Sequence, residues 1–594
     1  MTPPVPPTLP GATLIDRLTS AAGASASNGI HFVDRDEGET WFGWDAIRAG
    51  ALRAAGGLAA AGIGAGDRVA FVLPTSPELV FALLGCISIG AIPFVLAAPR
   101  RLGRLEEYRE RTVAMLRATR AAALVTDARV RRSLDSVLAR YEPRFGALLV
   151  EDLDRGPTRE PSAISPDDLA LVQFSSGTTV HPKPVAVTHR QILANCDAMA
   201  ERMYPQAEAV HVSWLPLHHD MGLIGCVFNA MCRGIKLVLM APEIFIAKPS
   251  LWLRAMARHR ATVTVAPNFA YAQCTAKVRD EDLEGADFSG WNMALCGAEP
   301  ISAEVARRFN TRFARWGLAE TAFAPVYGLA EATLAVTFTP FHERPFRTTH
   351  VDRKSLSEGR PVPGPGVELV SVGKPIRTVE IELRRTEDRV PCALGEVGNI
   401  WVRSPSVMAG YLDRDDAPIE NGWLDTGDLG VLLDGELYIT GRAKDIIIIN
   451  GENHLPHDIE DAVNRVAAVR TGFAAAAAEV GEHGERLLVF VEQRKASANL
   501  AEECWKAVLS TTGLEPALVV ALAPGSIPQT TSGKIRRGET LRRWQQGILT
   551  PPESGRGQNA AVKSLFGSLS DAYRALIPSE DAARPSDSAD LDDE

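Results

Sequence analysis

Residues 79–98 read LVFALLGCISIGAIPFVLAA, an uncharged run just long enough, at about 20 residues, to cross a bilayer as a helix. Gly85, Gly90 and Pro93 interrupt it, so the better reading is a buried helix that turns into a buried strand, as in an α/β core. No stable membrane insertion is expected. Outward from this segment, strand-like runs at Val69–Leu73, Leu169–Phe174, Ile235–Met240, Thr262–Val265 and Met293–Cys296 alternate with amphipathic helical stretches. That rhythm predicts parallel sheets covered by helices. After Gly395 the texture changes: GEVGNIWVRSPSVMAGYL, GWLDTGDLGVLLDGELYITGR and KDIIIING read as short strands joined by Gly and Asp turns. Beyond Ile446 mixed strands and helices run to near Trp544. The expected class is therefore α/β, with a large N-terminal domain of helix-covered sheets plus a β unit and a smaller α+β domain behind it. The stretch from 549 to 594, closing on DSADLDDE, reads as a disordered acidic tail.

With 594 residues, the chain exceeds what one core normally serves. Hydrophobic residues at 46% and charged residues at 23% are ordinary globular values, which argues against a fibrous or generally disordered protein. A formal charge of −10 carries no footprint for a nucleic-acid backbone, so nucleic acid is not an expected partner. The eight cysteines stand singly, with no CxxC pair to clamp zinc, which suits a reducing cytoplasm. MTPPVPPTLPGATL has neither the basic start nor the apolar core of a signal peptide.

The first segment with chemical promise is Phe174–His189, FSSGTTVHPKPVAVTH. A strand runs into a loop of Ser175, Ser176, Gly177, Thr178 and Thr179, followed by Lys183. Hydroxyls and amides beside a glycine can converge on phosphate oxygens, and a lysine adds positive charge. No GxxxxGK[ST] pattern is present, so this is not a Walker A loop. An ordinary strand-to-helix turn is the alternative.

Further blocks follow in order: WLPLHHDMGLIG (214–225), CGAEPI (296–301), YGLAEATL (327–334), WLDTGDLG (423–430), GRAKDIIIINGENHLPHDIE (441–460) and QTTSGKIRR (529–537). The series, over about residues 30–545, resembles the motifs of the adenylate-forming superfamily of acyl-CoA synthetases, peptide-synthetase adenylation domains and luciferases. Within it the wording of WLPLHHDMGLIG, CGAEPI and YGLAEATL is most similar to fatty acyl-AMP ligases. Residues 340–375 resemble that family's extra segment, which is thought to disfavour CoA as acceptor; a long surface connection is the other reading.

The resemblance implies a site. Lys534 would be the catalytic lysine, bridging the carboxylate and the α-phosphate of ATP. Glu331 would hold Mg2+ beside the phosphates. Tyr327 and Gly328 would lie on one side of adenine, with Gly297, Ala298, Glu299 and Pro300 on the other. Asp428 and Arg442 would hold the ribose hydroxyls. Lys444 falls where the superfamily keeps its hinge, dividing a domain of residues 1–443 from a mobile one of 444–548. His219, Asp220, Met221 and Gly222 would border the acyl substrate. A dedicated transition-metal site at His218, His219 and Asp220 is not expected, because neighbours on an extended strand point to opposite faces.

Two positions depart from the family pattern. Val180 replaces a glycine after the Ser/Thr run, and Pro184 replaces the glycine after lysine, so the loop is expected to be stiffer or to hold pyrophosphate differently. The implied reaction joins a fatty acid to AMP, releases pyrophosphate, and passes the acyl group to the phosphopantetheine thiol of an acyl carrier protein. Arg536, Arg537, Arg542 and Arg543 could dock that acidic carrier or simply form a solvated basic helix. A CoA ligase, an amino-acid adenylating enzyme and a non-catalytic nucleotide-binding homologue stay open at this point.

Overall fold

Ser76 opens the helix that occupies the first half of the 79–98 run. Its hydroxyl accepts from the Leu79 amide at 3.3 Å, and Pro77 sits at the first helical position, where its missing N–H costs nothing. The helix Pro77–Ser88 ends at Gly90, whose φ of +74° is cheap only for glycine, and strand Ile92–Val95 follows. No helix among the described residues is long and apolar enough to cross a membrane.

The structure, a computed structural model, describes residues 9–99, 105–175, 183–203, 209–340, 344–449, 452–481, 484–495, 497, 499–530, 534–549 and 551. The acidic end lies outside them. By their contacts the described residues divide into two compact units, the larger within Met1–Ile446, Glu452–Leu455 and Thr530–Lys534, the smaller within Ile447–Gly451, Pro456–Gln529 and Ile535–Glu594. The chain thus leaves the larger unit after Ile446, two residues beyond Lys444, and the short segment carrying Lys534 groups with the larger unit.

In the larger unit a nine-stranded sheet runs in the order Lys374–Pro375, Ala335–Phe338, Phe323–Gly328, Met293–Cys296, Val263–Ala266, Val210–Ser213, Lys236–Met240, Gly29–Val33, Glu39–Gly43. Its six inner strands from Phe323–Gly328 to Gly29–Val33 are parallel and the flanking ones antiparallel. A second sheet, Ile92–Val95, Arg68–Val72, Ala123–Thr126, Ala147–Leu149, is wholly parallel. Leu169–Phe174 departs from the parallel expectation: it pairs antiparallel with Pro184–Thr188, because the loop between them is too short for a crossover.

The β unit is built on Trp423–Leu433, paired antiparallel with Gly398–Arg403 and Glu436–Arg442. Residues 340–375 hold more than a surface connection. Strands Thr348–Asp352 and Gly366–Val370 form an antiparallel pair flanking helix Arg353–Ser357, and Val351, Leu356, Val367 and Leu369 share a buried cluster with Val431 and Tyr438 of the β unit.

The smaller unit has the sheet Val469–Gly481, Gly484–Gln493, Leu518–Leu522, the first pair antiparallel and the second parallel. Alternation along Gly484–Gln493 gives it two cores: Leu487, Val489 and Val491 pack with Ile459, Val463 and Val508, while Leu488 and Phe490 pack with Leu522 and Trp544. Its basic helix, Arg537–Gln545, is internally paired: Arg537 takes both oxygens of Glu460 at 2.7 Å, and Arg542 and Arg543 converge on Glu539. Arg537 and Arg543 keep 20% and 14% of their side chains exposed, and Arg542 keeps 46%.

Candidate active site

The strand ends of the nine-stranded sheet, the β unit and the Lys534 segment surround one cavity of about 320 Å³ in the larger unit. Loops at the carboxyl ends of parallel strands are where such sheets bind ligands. Gly297 and Ala298 follow strand Met293–Cys296, Ala298 in the left-handed region at φ +70°. Tyr327 and Gly328 end strand Phe323–Gly328, and at Gly328 a Cβ would lie 1.8 Å from the Leu334 carbonyl, so the turn into Glu331 needs glycine.

That turn is clamped from several sides. The Leu329 amide bonds the Leu334 carbonyl at 2.9 Å, the Thr333 hydroxyl donates to the Ser406 carbonyl at 2.6 Å, and buried Asn195 exchanges two 3.0 Å bonds with the Ala335 backbone. The Met408 amide donates to the Glu331 carbonyl oxygen at 2.8 Å. Glu331 is thereby fixed with its carboxylate on the cavity, accepting the Tyr411 hydroxyl at 3.1 Å, and burial raises it above the ordinary carboxylate value.

On the β unit, Asp428 is only 5% exposed. It accepts the Tyr327 hydroxyl at 2.7 Å on one oxygen and Arg442 Nε at 2.8 Å on the other. The cross-strand pair Asp428↔Arg442 sets that contact, and the Asp428 charge raises the guanidinium further above its already high value. Lys444, on the short 3-10 turn Ala443–Asp445, also lines the cavity, and burial followed by Arg442 lowers its pKa.

Lys534 lines the same cavity, deeply buried; desolvation and then Arg442 depress it below the ordinary lysine value, against the pull of Asp220, Asp428 and Glu299. Its backbone amide donates to the Thr530 hydroxyl at 3.0 Å. Lys183 stands over the Tyr411 ring, 4.4 Å from its centroid, with Asp416 at 3.8 Å. Ser175 borders the cavity, whereas Ser176, Gly177, Thr178, Thr179 and Val180 lie outside the described residues. Pro184 is described, as the first residue of a strand, where its missing N–H is tolerated.

His219 and Asp220 do not lie on an extended strand, as the sequence reading had them. The strand ends at Ser213, the His219 amide turns back to the Pro216 carbonyl at 3.2 Å, and a helical turn starts at Asp220. Adjacent side chains can then meet: His219 Nδ1 is 2.8 Å from Asp220 Oδ1, which also accepts the Met221 amide at 2.7 Å. Burial works against the Asp220 charge, but His219, the Met221 amide and Lys534 hold the carboxyl below its usual range. His219 Nε2 is buried with no hydrogen-bond partner among the described residues, leaving a polar atom for a ligand. Met221 lines the cavity; Gly222 faces the Pro216 carbonyl, 2.3 Å from where a Cβ would sit. Glu299 caps the Phe269 amide at 2.6 Å beside the cavity, and Pro300 is exposed.

The other end of the cavity is apolar. Met199 and Met203 from helix His189–Met203 meet Gly225, Val265, Leu295, Val326, Leu334 and Phe338 there. Gly225 sits in the π-helical stretch Leu223–Phe228, a rare form frequent at functional sites. None of these residues, nor Tyr411, is among the site residues expected from the sequence: Gly225 and Leu334 end the blocks 214–225 and 327–334, while Met199, Met203, Val265, Leu295, Val326 and Phe338 carry no motif.

A basic end with Lys183, Lys444 and Lys534, a buried Asp428 paired with Arg442, and a connected apolar lobe thus share one cavity. The AMP-binding enzyme model matches residues 20–412, and the AMP domain of Disco-interacting protein 2-like proteins matches 444–553. The chain belongs to the AMP-binding enzyme family and is an adenylate-forming ligase. It is 32% identical over 522 residues to the 4-hydroxyphenylalkanoate adenylyltransferase of Mycobacterium tuberculosis, covering 81% of this chain and 82% of that one. It is 32% identical over 544 residues to a long-chain-fatty-acid–AMP ligase of Mycobacterium marinum, covering 84% and 91%. A solved structure from a study of fatty acyl-adenylate ligases of E. coli and L. pneumophila superposes with a TM-score of 0.85 at 32% identity, over 91% of this chain and 99% of that one.

Proposed function

We propose that the protein activates a fatty acid as its acyl-adenylate and passes the acyl group to the phosphopantetheine thiol of an acyl carrier protein. The observation that carries the first step is the continuity of one cavity from Lys534, Arg442 and Asp428 to the lobe of Met199, Met203, Leu334 and Phe338. A carboxylate at the junction has polar partners on one side and room for an alkyl chain on the other.

In the first half-reaction a carboxylate oxygen attacks the α-phosphorus, the bond to the β-phosphate oxygen breaks, and pyrophosphate leaves. Lys534, with Lys183 toward the departing phosphates, offsets the charge that builds there. Asp428 and Arg442 hold the ribose, Tyr327 and Gly297–Ala298 border the base, and His219 Nε2 meets the acyl carboxyl end. Glu331 suits a hard cation, since its buried carboxylate faces the cavity and is in no ion pair among the described residues. Bound there, Mg2+ would neutralise phosphate charge.

In the second half-reaction the thiol sulfur attacks the acyl carbonyl, the mixed anhydride opens, and AMP leaves. Rearrangement at Lys444 would exchange Lys534 for the acceptor. The 340–375 segment favours carrier protein over CoA in this reading. Pyrophosphate release over a panel of fatty and amino acids tests the first step; acyl-AMP presented with holo carrier protein or CoA tests the second. Rapid thioester formation with CoA and none with carrier protein would reverse the choice of acceptor.

A further inference from the structure

Away from the cavity, three metal-capable side chains meet at the edge of the nine-stranded sheet. His31 lies on strand Gly29–Val33, Glu39 begins the antiparallel edge strand Glu39–Gly43, and His259 closes helix Ser250–Arg258. His31 Nδ1 is 3.4 Å from Glu39 Oε2, and His259 Nε2 is 3.0 Å from Glu39 Oε1. One donor atom of each lies within 4.8 Å of the others. Around a tetrahedral ion with bonds of about 2.0–2.2 Å, donor atoms stand roughly 3.3–3.6 Å apart, so small side-chain adjustments would bring all three onto one ion.

We propose that His31, Glu39 and His259 bind a divalent transition-metal ion of the zinc type, with water completing the set, as a clip between the sheet edge and the helix end. Two imidazoles and one carboxylate favour such an ion over Ca2+ or Mg2+, which seek oxygen. The histidine side chains are 19% and 8% exposed, and Glu39 is 23% exposed, which leaves the third donor reachable from solvent. Arg258 also reaches Glu39 Oε1, at 3.1 Å, but it holds Glu37 at 2.6 Å and stays paired when an ion takes Glu39. Lys236 and Arg258 are nearby positive charges that an ion must tolerate.

The test is calorimetric titration of the metal-free full chain with ZnCl2, beside the His31→Asn/His259→Asn double variant. Wild type should take up one zinc with a raised thermal midpoint, and the variant should lose affinity beyond the about 10–100-fold that a lost outer-shell partner costs, with unchanged adenylation. Equal uptake in both chains overturns the site. If the double variant does not fold, Trp41 reports instead: it is 46% exposed and its ring centre is 6.3 Å from that of His31. Ni2+ should quench wild-type fluorescence saturably, and Trp41→Phe should remove that component. A quench that never saturates overturns the proposal equally.

Discussion

Tyr327 donates its hydroxyl to Asp428 at 2.7 Å, joining the end of strand Phe323–Gly328 to the middle of strand Trp423–Leu433, 101 residues away in the chain. The contact links the nine-stranded sheet to the β unit at the cavity wall, with Arg442 on the other carboxylate oxygen. Tyr327→Phe removes one hydrogen bond and should cost about 1 kcal/mol of stability. Asp428→Ala strands both partners and should cost more, roughly 3–5 kcal/mol, with weaker ATP binding. Thermal unfolding and ATP calorimetry on both variants check the order; equal losses contradict it.

Lys534→Ala should lower the rate of adenylate formation by about 100–1000-fold, while ATP still binds. The charged lysine is the useful form, and burial lowers its pKa below 10.5. Adenylation should therefore fall as pH rises through a value below 10.5, and Lys534→Arg should move that fall to higher pH. A pH–rate profile with the same alkaline limb in both would contradict the assignment.

Gly225 sets the width of the apolar lobe, since a Cβ there would sit 2.9 Å from Leu334 Cδ2. Gly225→Val should shift preference to shorter acids, each lost methylene of chain burial weighing about 0.8 kcal/mol, or roughly fourfold in kcat/KM. Leu334→Ala in the same chain should restore part of the length tolerance. A chain-length series with unchanged optimum sinks this reading of the lobe.

Burial pushes the Glu299 carboxyl up to about 7, against its bond from the Phe269 amide. With the folded value raised, its contribution to stability is fully present below the ordinary 4.5 and is lost as pH rises toward about 7. Glu299→Gln should flatten the stability profile across that window. Chemical denaturation at several pH values reads it directly.

Much of the fold was legible where pattern and local chemistry agree. The break at Gly90 in an otherwise membrane-length run corresponds to helix Pro77–Ser88 and strand Ile92–Val95, and five apolar runs became strands. The direction of Leu169–Phe174 was not legible, because strand periodicity carries no partner information. The polar end of the cavity comes from short motifs with glycines and charges. Its apolar end draws on Met199, Val265, Leu295 and Phe338, ordinary core residues in sequence whose convergence is purely tertiary. The His219–Asp220 contact was hidden for a local reason: the Pro216 turn converts an extended-looking segment into a helix start.

The most direct test incubates the full chain with ATP, Mg2+ and a graded series of fatty acids, and follows acyl-AMP by mass spectrometry together with pyrophosphate release. Equimolar acyl-AMP and pyrophosphate with fatty acids, lost in Lys534→Ala, is the predicted result. Adenylates formed only from amino acids, or none from any acid while ATP still binds, would contradict fatty-acid activation.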